Sequence, residues 1–428
     1  MRNCFRKIIA KILQLQVRRL IKAKNPKIVA ITGSVGKTFT KHVVARVLSA
    51  NYRVLVHPGN YNSEIGLPLA IFEADVPKSL MNPWPWLKIF IRTQKVIKNL
   101  RYPYEVWVLE LGSESLGEIA AFTNYLTPDL GIITSVTLTH LEGYKSLTEI
   151  LDDEMELATS SKLVLLNQDD VELGKLKAEL PVDHIKWYGL DKGEYRFEIE
   201  KFDEHKGYRG ILHLPGQDIK INTQIIAKHN LYALVVAGAV AKLVGNIENN
   251  DIRIALEAVT PTYGRMNFLP GLKGSVIIDD TYNSSPDAAI AALDTLYSLS
   301  GRKIAMLGSM NELAGQSKKA HIQVGSYATR ADLLITIGQE AKKYLLPAAL
   351  KAGLKKKQTK AFDDPYAAGE YLLQVIKKGD YILAKGSQNN VFAEEAVALI
   401  LKNPADRTKL VRQSDQWQKQ KRTQLGLQ

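Results

Sequence analysis

Apolar and polar positions change period several times along the chain. Phe5, Ile8, Ile9, Ile12, Leu15 and Leu20 recur at helical spacing with Lys and Arg between them, which predicts an amphipathic basic helix over 2–24 that Asn25-Pro26 stops. Short β-branched runs follow: Lys27–Ile31, Arg53–Val56, Val106–Leu109, Gly131–Ile133 and Leu163–Leu166. Helical stretches lie between several of them, the pattern of a parallel sheet flanked by helices. Residues 187–222 alternate instead, as in YRFEIEKF and GILHL, and predict an antiparallel addition to that sheet. A helix is predicted over 228–245. A second α/β unit begins near 275, with strands at Ser275–Ile278, Lys303–Leu307, Leu333–Ile337 and Tyr381–Ala384. Thr260–Gly264 reads as the linker between the units. The expected organisation is a basic helix over 1–24, a central parallel-sheet domain over 25–261, a smaller Rossmann-like domain over 262–412, and a polar, fraying tail over 413–428.

Composition narrows the class. With 428 residues, 46% hydrophobic and 24% charged, the chain can fill two or three globular cores. It has no apolar run of 18 residues, so no transmembrane helix is expected, and no cleavable signal is read at the basic N-terminus. A single cysteine, Cys4, excludes an internal disulfide and cysteine metal sites, and a reducing, cytoplasmic setting follows. The net charge is +13. Residues 1–24 carry eight Lys/Arg and residues 79–104 carry five, neither with an acid. The remainder is balanced, which argues against a nucleic-acid track across the protein.

The candidate chemistry starts at Gly33-Ser34-Val35-Gly36-Lys37-Thr38, between a strand and a helix. Backbone N–H groups of such a loop and the helix N-terminus suit phosphate; Lys37 adds a point charge and Thr38 a hydroxyl for Mg²⁺. Only two residues separate Gly33 from Gly36, where the full Walker pattern has four between its first glycine and Gly-Lys-Thr. Glu110 and His140 each follow a strand, and ligands of open parallel sheets gather at strand carboxyl ends. An acid and an imidazole there can hold Mg²⁺. Taken singly, such a Glu is more often a cap or a surface group, and such a His more often a satisfied polar residue.

ITGSVGKTFTK, PGNYNSEIGLPLAIF, LELGSESLGEIA, PDLGIITSVTLTHLEG, KHN, YGRM, IDDTYNSSPDAAIAALDTL, LGSMNELAGQSKKAH and AKGS resemble, in order, the blocks of the Mur ligase family, and within it the branch that adds D-alanyl-D-alanine to UDP-MurNAc-tripeptide. The resemblance covers about 27–400 and accounts for the shortened loop. It implies an ATP-dependent carboxylate–amine ligase working through an acyl phosphate in peptidoglycan precursor chemistry, with ATP and Mg²⁺. It implies nucleotide contacts from Gly33, Ser34, Gly36, Lys37 and Thr38, and from Asn62, Asn230, Arg265 and Asp280, the last on the ribose. It implies Mg²⁺ ligation by Thr38, Glu110 and His140. Glu154 falls where the family carries a carbamylated lysine; it keeps a carboxylate on a shorter reach, which places Glu154 beside Lys37 and His140 in the catalytic set and among the metal ligands. Asp152 and Asp153 are alternatives, and so is a merely solvated acidic helix start. Ala233 stands where a family asparagine is usual. The family's N-terminal domain, which grips the UDP-sugar, is not seen ahead of the loop.

That leaves the substrate open between a small molecule and a lipid-linked peptide. It leaves the basic segments 1–24 and 79–104 with three readings: an anionic membrane surface, which would make the protein peripheral at the inner face; packing on the core; or a protein partner that replaces the missing grip. Two alternatives to this function are a non-catalytic nucleotide-binding scaffold and a ligase of another polymer such as polyglutamate.

Overall fold

In the computed structural model, residues 2–57, 59, 61–77, 79–138, 143–176 and 184–426 are described. The first sheet contains β1 (Lys27–Thr32), β2 (Val54–Val56), β3 (Val106–Glu110), β4 (Leu130–Ile133), β5 (Val164–Asn167), β6 (Ile185–Gly189), β7 (Tyr195–Asp203), β8 (Gly207–Leu214) and β9 (Gln217–Thr223). Their order is β2-β3-β1-β4-β5-β6-β7-β8-β9. The pairs from β2 to β7 are parallel, while β7–β8 and β8–β9 are antiparallel. The switch falls where the sequence changes from continuous apolar runs to alternation, because the late strands cover only one face.

Helices bury the sheet on two sides. The helices Lys37–Leu48 and Leu231–Val240 pack over one face, with Val43, Val47, Leu234 and Val235 among the buried side chains. The opposite face holds Trp107 and Leu109 against Val17 and Leu20 of the first helix, Arg2–Lys24. That helix also packs against Pro83–Lys98, whose first turn is capped by the Asn82 side chain accepting from Trp84 N.

The second sheet contains β10 (Asn267–Pro270), β11 (Val276–Asp280), β12 (Lys303–Gly308), β13 (Leu333–Ile337), β14 (Thr359–Phe362) and β15 (Tyr381–Lys385), ordered β10-β11-β15-β12-β13-β14. Only β10 is antiparallel to its neighbour. The helix Asn249–Glu257 ends before 260–264 and β10 opens after it.

The C-terminal segment differs from a fraying tail. Asp415–Gln424 forms a helix capped by Ser414, and the fully buried Lys421 Nζ lies 2.9 Å from Glu394 Oε1 and 2.6 Å from Glu395 Oε1. Arg412 meets Glu394 at 2.7 Å and Arg407 meets Glu395 at 2.6 Å. The acids stand on a helix, Ala393–Ile400, distant in sequence; a polar composition alone cannot show that its charges have buried partners.

Candidate functional site

The carboxyl end of β1 turns through Gly33, at φ 125°, and Gly36, at φ 89°, into the helix Lys37–Leu48. A Cβ on Gly33 would stand 2.3 Å from Thr134 Oγ1 and 2.9 Å from Ser135 N, so both the torsion and the space require glycine. The chain after β4 holds the loop from the other side. Ser34 N donates to Ser135 O at 2.8 Å, Val35 N to Ser135 Oγ at 3.1 Å, and Thr134 Oγ1 to Val35 O at 2.6 Å. Lys37 Nζ folds back to donate to Gly33 O. The loop is thus preformed, with a helix N-terminus and an ammonium at its centre.

Glu110, at the end of β3, joins the surrounding groups. Its Oε1 accepts from Thr38 Oγ1 at 3.1 Å and from Asn62 Nδ2 at 3.4 Å. Among the described residues its Oε2 makes no hydrogen bond of good geometry, but it lies 3.1 Å from the Lys41 ammonium, which is fully buried. Burial acts to raise the carboxyl, yet Lys41, Lys37 and Arg265 together outweigh it and hold Glu110 below the usual value. Burial lowers Lys41, with Glu110 opposing part of that shift. Asn62 is fixed because Gly112 N donates to its carbonyl at 2.9 Å, and a Cβ at Gly112 would come within 2.7 Å of that oxygen.

The second domain completes the wall. Arg265 Nη2 donates to Thr38 Oγ1 at 3.3 Å, and its guanidinium lies 4.1 Å from the centroid of the Tyr282 ring. Asp280, at the end of β11, pairs with Lys385 Nζ at 2.6 Å and accepts from Met266 N at 3.2 Å. Asn230 precedes the helix Leu231–Val240, and its buried Nδ2 has no partner among the described residues. These groups enclose a cavity of about 620 Å³ between the domains, lined also by Ala233, Asn167 and Tyr232. The predicted residues Ser34, Gly36, Lys37, Thr38, Asn62, Glu110, Asn230, Arg265 and Asp280 all line it.

Glu154 is placed differently. It is buried in the helix Leu147–Ser160, away from the cavity wall and behind the phosphate loop. Burial pushes its carboxyl up to about 7, against the pull of Lys37, Thr32 and Gly33 N–H, with Asp153 adding to the rise. Of the three neighbouring acids only Asp152 is exposed; Asp153 accepts from Ser113 Oγ, Tyr144 Oη and Gly117 N. The solvated-start reading therefore holds for Asp152 alone. His140 lies outside the described residues, and among those residues no group of three His, Cys, Asp or Glu is arranged to hold a metal.

Three site residues were not singled out from the sequence. Lys41 sits one helical turn after Lys37, and that spacing on a buried helix face was the available signal. Lys385 ends an apolar strand within the block AKGS. His57, whose Nδ1 lies 2.7 Å from Gly59 O and whose buried Nε2 has no partner among the described residues, is lowered to about 4 by burial and then by Lys41.

Comparisons with known proteins agree with this geometry. The Mur ligase middle domain matches residues 31–79 and 90–241, and the Mur ligase glutamate ligase domain matches 264–388. The UDP-N-acetylmuramoyl-tripeptide–D-alanyl-D-alanine ligase of Buchnera aphidicola is 27% identical over 382 residues, spanning 87% of this chain and 76% of its own. The crystal structure of MurF from Acinetobacter baumannii superposes with a TM-score of 0.75 at 25% identity, covering 90% of this chain and 79% of that one. The MurF ligase of Thermotoga maritima, solved in complex with ADP, gives 0.73 at 24% identity, covering 91% and 83%.

Proposed function

The chain belongs to the Mur ligase family, and from that premise we propose that it joins D-alanyl-D-alanine, or a closely similar amine, to the carboxylate of a muramyl peptide, as the printed names of its relatives describe. The reaction is ATP-dependent. The γ-phosphoryl group passes to a carboxylate oxygen, giving ADP and an acyl phosphate. The amine nitrogen then attacks the carbonyl carbon, loses a proton, and expels phosphate as the amide forms.

The side chains have tasks that suit this sequence. The loop amides and Lys37 take the outer phosphates and offset charge on the transferring group. Arg265 reaches the same place from the second domain, Asp280 is set to accept from a ribose hydroxyl, and Asn230 offers its unpaired amide to the nucleotide. Ala233 leaves a methyl group in the wall where an amide would add a base contact. The oxygen donors Thr38 and Glu110, 3.1 Å apart, with Glu110 Oε2 engaged among the described residues only by a lysine charge, fit a hard cation. They would hold Mg²⁺ together with His140, and Glu154 would influence it from behind the loop. Bound there, Mg²⁺ neutralises phosphate charge.

The observation that carries the reading is the contact of Arg265 with Thr38, at 3.3 Å. It brings the second domain onto the phosphate loop and closes the cavity on both sides. The test is ADP release by the whole chain with Mg-ATP, UDP-MurNAc-tripeptide and D-alanyl-D-alanine, each omitted in turn. Release that needs all of them, and falls at least about a thousandfold in Lys37→Ala, is expected. Undiminished turnover in Lys37→Ala rejects the reading.

A further inference from the structure

Nine of the seventeen exposed large apolar side chains among the described residues lie within 8–15 and 76–100, a small part of the chain. The same neighbourhood carries the whole charge excess, eight Lys/Arg in 1–24 and five in 79–104 with no acid in either. The fold turns these two segments into one surface. The helices Arg2–Lys24 and Pro83–Lys98 lie side by side in the same direction: Ile9 and Leu13 cluster with Trp86, the side chains of Gln16 and Gln94 hydrogen-bond, and Lys24 Nζ donates to Asn99 O at 2.7 Å. Packing on the core uses only the inner faces. Ile9, Leu13, Val17 and Leu20 are buried, and so is Trp86, the indole of which donates to Leu80 O at 2.9 Å.

The outer faces are left without a partner among the described residues. Along the first helix, Ile8, Lys11 and Leu15 follow one another at spacings of three and four, all exposed, ahead of Arg18, whose guanidinium donates to Asn124 O. Along the second, Trp84, Lys88, Ile91, Lys95 and Lys98 do the same, with Leu87 exposed beside Lys88 and Trp84 68% exposed. Apolar side chains and cations thus alternate along one exposed stripe, where the long Lys and Arg stems can carry their charges past an apolar layer while the rings and aliphatic groups enter it.

We propose that this paired-helix face docks on an anionic lipid surface. Charge complementarity selects the occupant. A second copy would set cations against cations, with no acid in either segment to relieve them. A nucleic acid would take the cations but leave Trp84, Leu87 and Ile91 unused. An anionic bilayer uses both, with the rings and aliphatic groups below the headgroups and the ammonium groups among them.

The position adds a consequence that rests on the ligase reading, although the lipid contact itself does not. Ile65 packs with Ile9, Leu13 and Trp86, and it stands three residues after Asn62, which lines the cavity. The helix pair thus packs on the segment 62–65 that also builds the cavity wall, so docking would hold that segment close to the bilayer.

The experiment is sedimentation of the full chain with vesicles of phosphatidylcholine alone or with about 30% phosphatidylglycerol, at low and high salt, beside Mg-ADP binding as the measure of an intact site. Binding to the anionic vesicles, weakened about tenfold by Leu87→Glu and by Lys88→Gln with Arg92→Gln, with Mg-ADP binding unchanged, is expected. Brominated lipid should quench a part of the fluorescence that Trp84→Phe removes. No binding, equal binding to neutral vesicles, or binding insensitive to Leu87→Glu overturns the proposal. So does concentration-dependent self-association that Leu87→Glu abolishes. Because vesicle binding and ADP release are read separately, loss of one leaves the other standing.

Discussion

Lys41→Met tests the electrostatics of the Glu110 cluster. The change keeps most of the side-chain volume and removes an ammonium 3.1 Å from Glu110 Oε2, where both side chains are at most 3% exposed. At an effective dielectric near 20, opposite charges at that distance attract by about 5 kcal/mol, and removing one member of a buried pair costs about 3–5 kcal/mol because the other is left uncompensated. Lys37 and Arg265 still face Glu110, and Thr38 and Asn62 still donate to it. The expected loss is therefore at the lower end, about 3 kcal/mol at pH 7.5, read by urea unfolding. The pH dependence follows from the direction of the shift. Glu110 is held below its ordinary value of 4.5, so the native protein has this stabilisation above that pH and loses it as the pH falls through the lower folded value. In Lys41→Met the depression weakens, so the gap between variant and parent narrows on acidification. In a double-mutant cycle with Glu110→Gln, the coupling should be at least about 1.5 kcal/mol. A loss under about 1 kcal/mol together with additive single changes would refute the reasoning.

Gly33→Ala should destabilise the chain by about 2 kcal/mol or more and remove Mg-ADP binding by calorimetry, because φ is 125° and the new Cβ meets Thr134 Oγ1 at 2.3 Å. Lys421→Met should cost about 3–5 kcal/mol in urea unfolding, since Glu394 and Glu395 lose a fully buried counter-charge; a change within about 0.5 kcal/mol would mean that the last helix is not held as described. Glu154→Gln should flatten the pH dependence of stability. The native carboxyl is raised from 4.5 to about 7, so the folded state retains its proton longer than the unfolded chain, and stability falls as pH rises between those values. The variant is expected to gain on the parent toward pH 8; unfolding curves at pH 5 and pH 8 that shift equally in both proteins exclude this.

Local sequence determined the elements because their signals are local. Continuous β-branched runs, the alternation after residue 187 and the basic helical periods each report which faces of a segment meet water. The glycines of the phosphate loop announced its turn, and the ordered blocks placed Thr38, Glu110, Asn62, Arg265 and Asp280 in one site before their distances were known. Only the tertiary structure decided which charges are paired, because ion partners such as Lys41 and Glu110, Asp280 and Lys385, or Lys421 and Glu394 are separated along the chain and meet through sheet order and helix packing. It also decided that Glu154 lies behind the loop and that Asp153 anchors its neighbours. A run of three acids shows charge but carries no information about which of them leaves water. The same holds for the two basic segments: the sequence supplied their amphipathic character, and their packing side by side turned two stripes into one outward face.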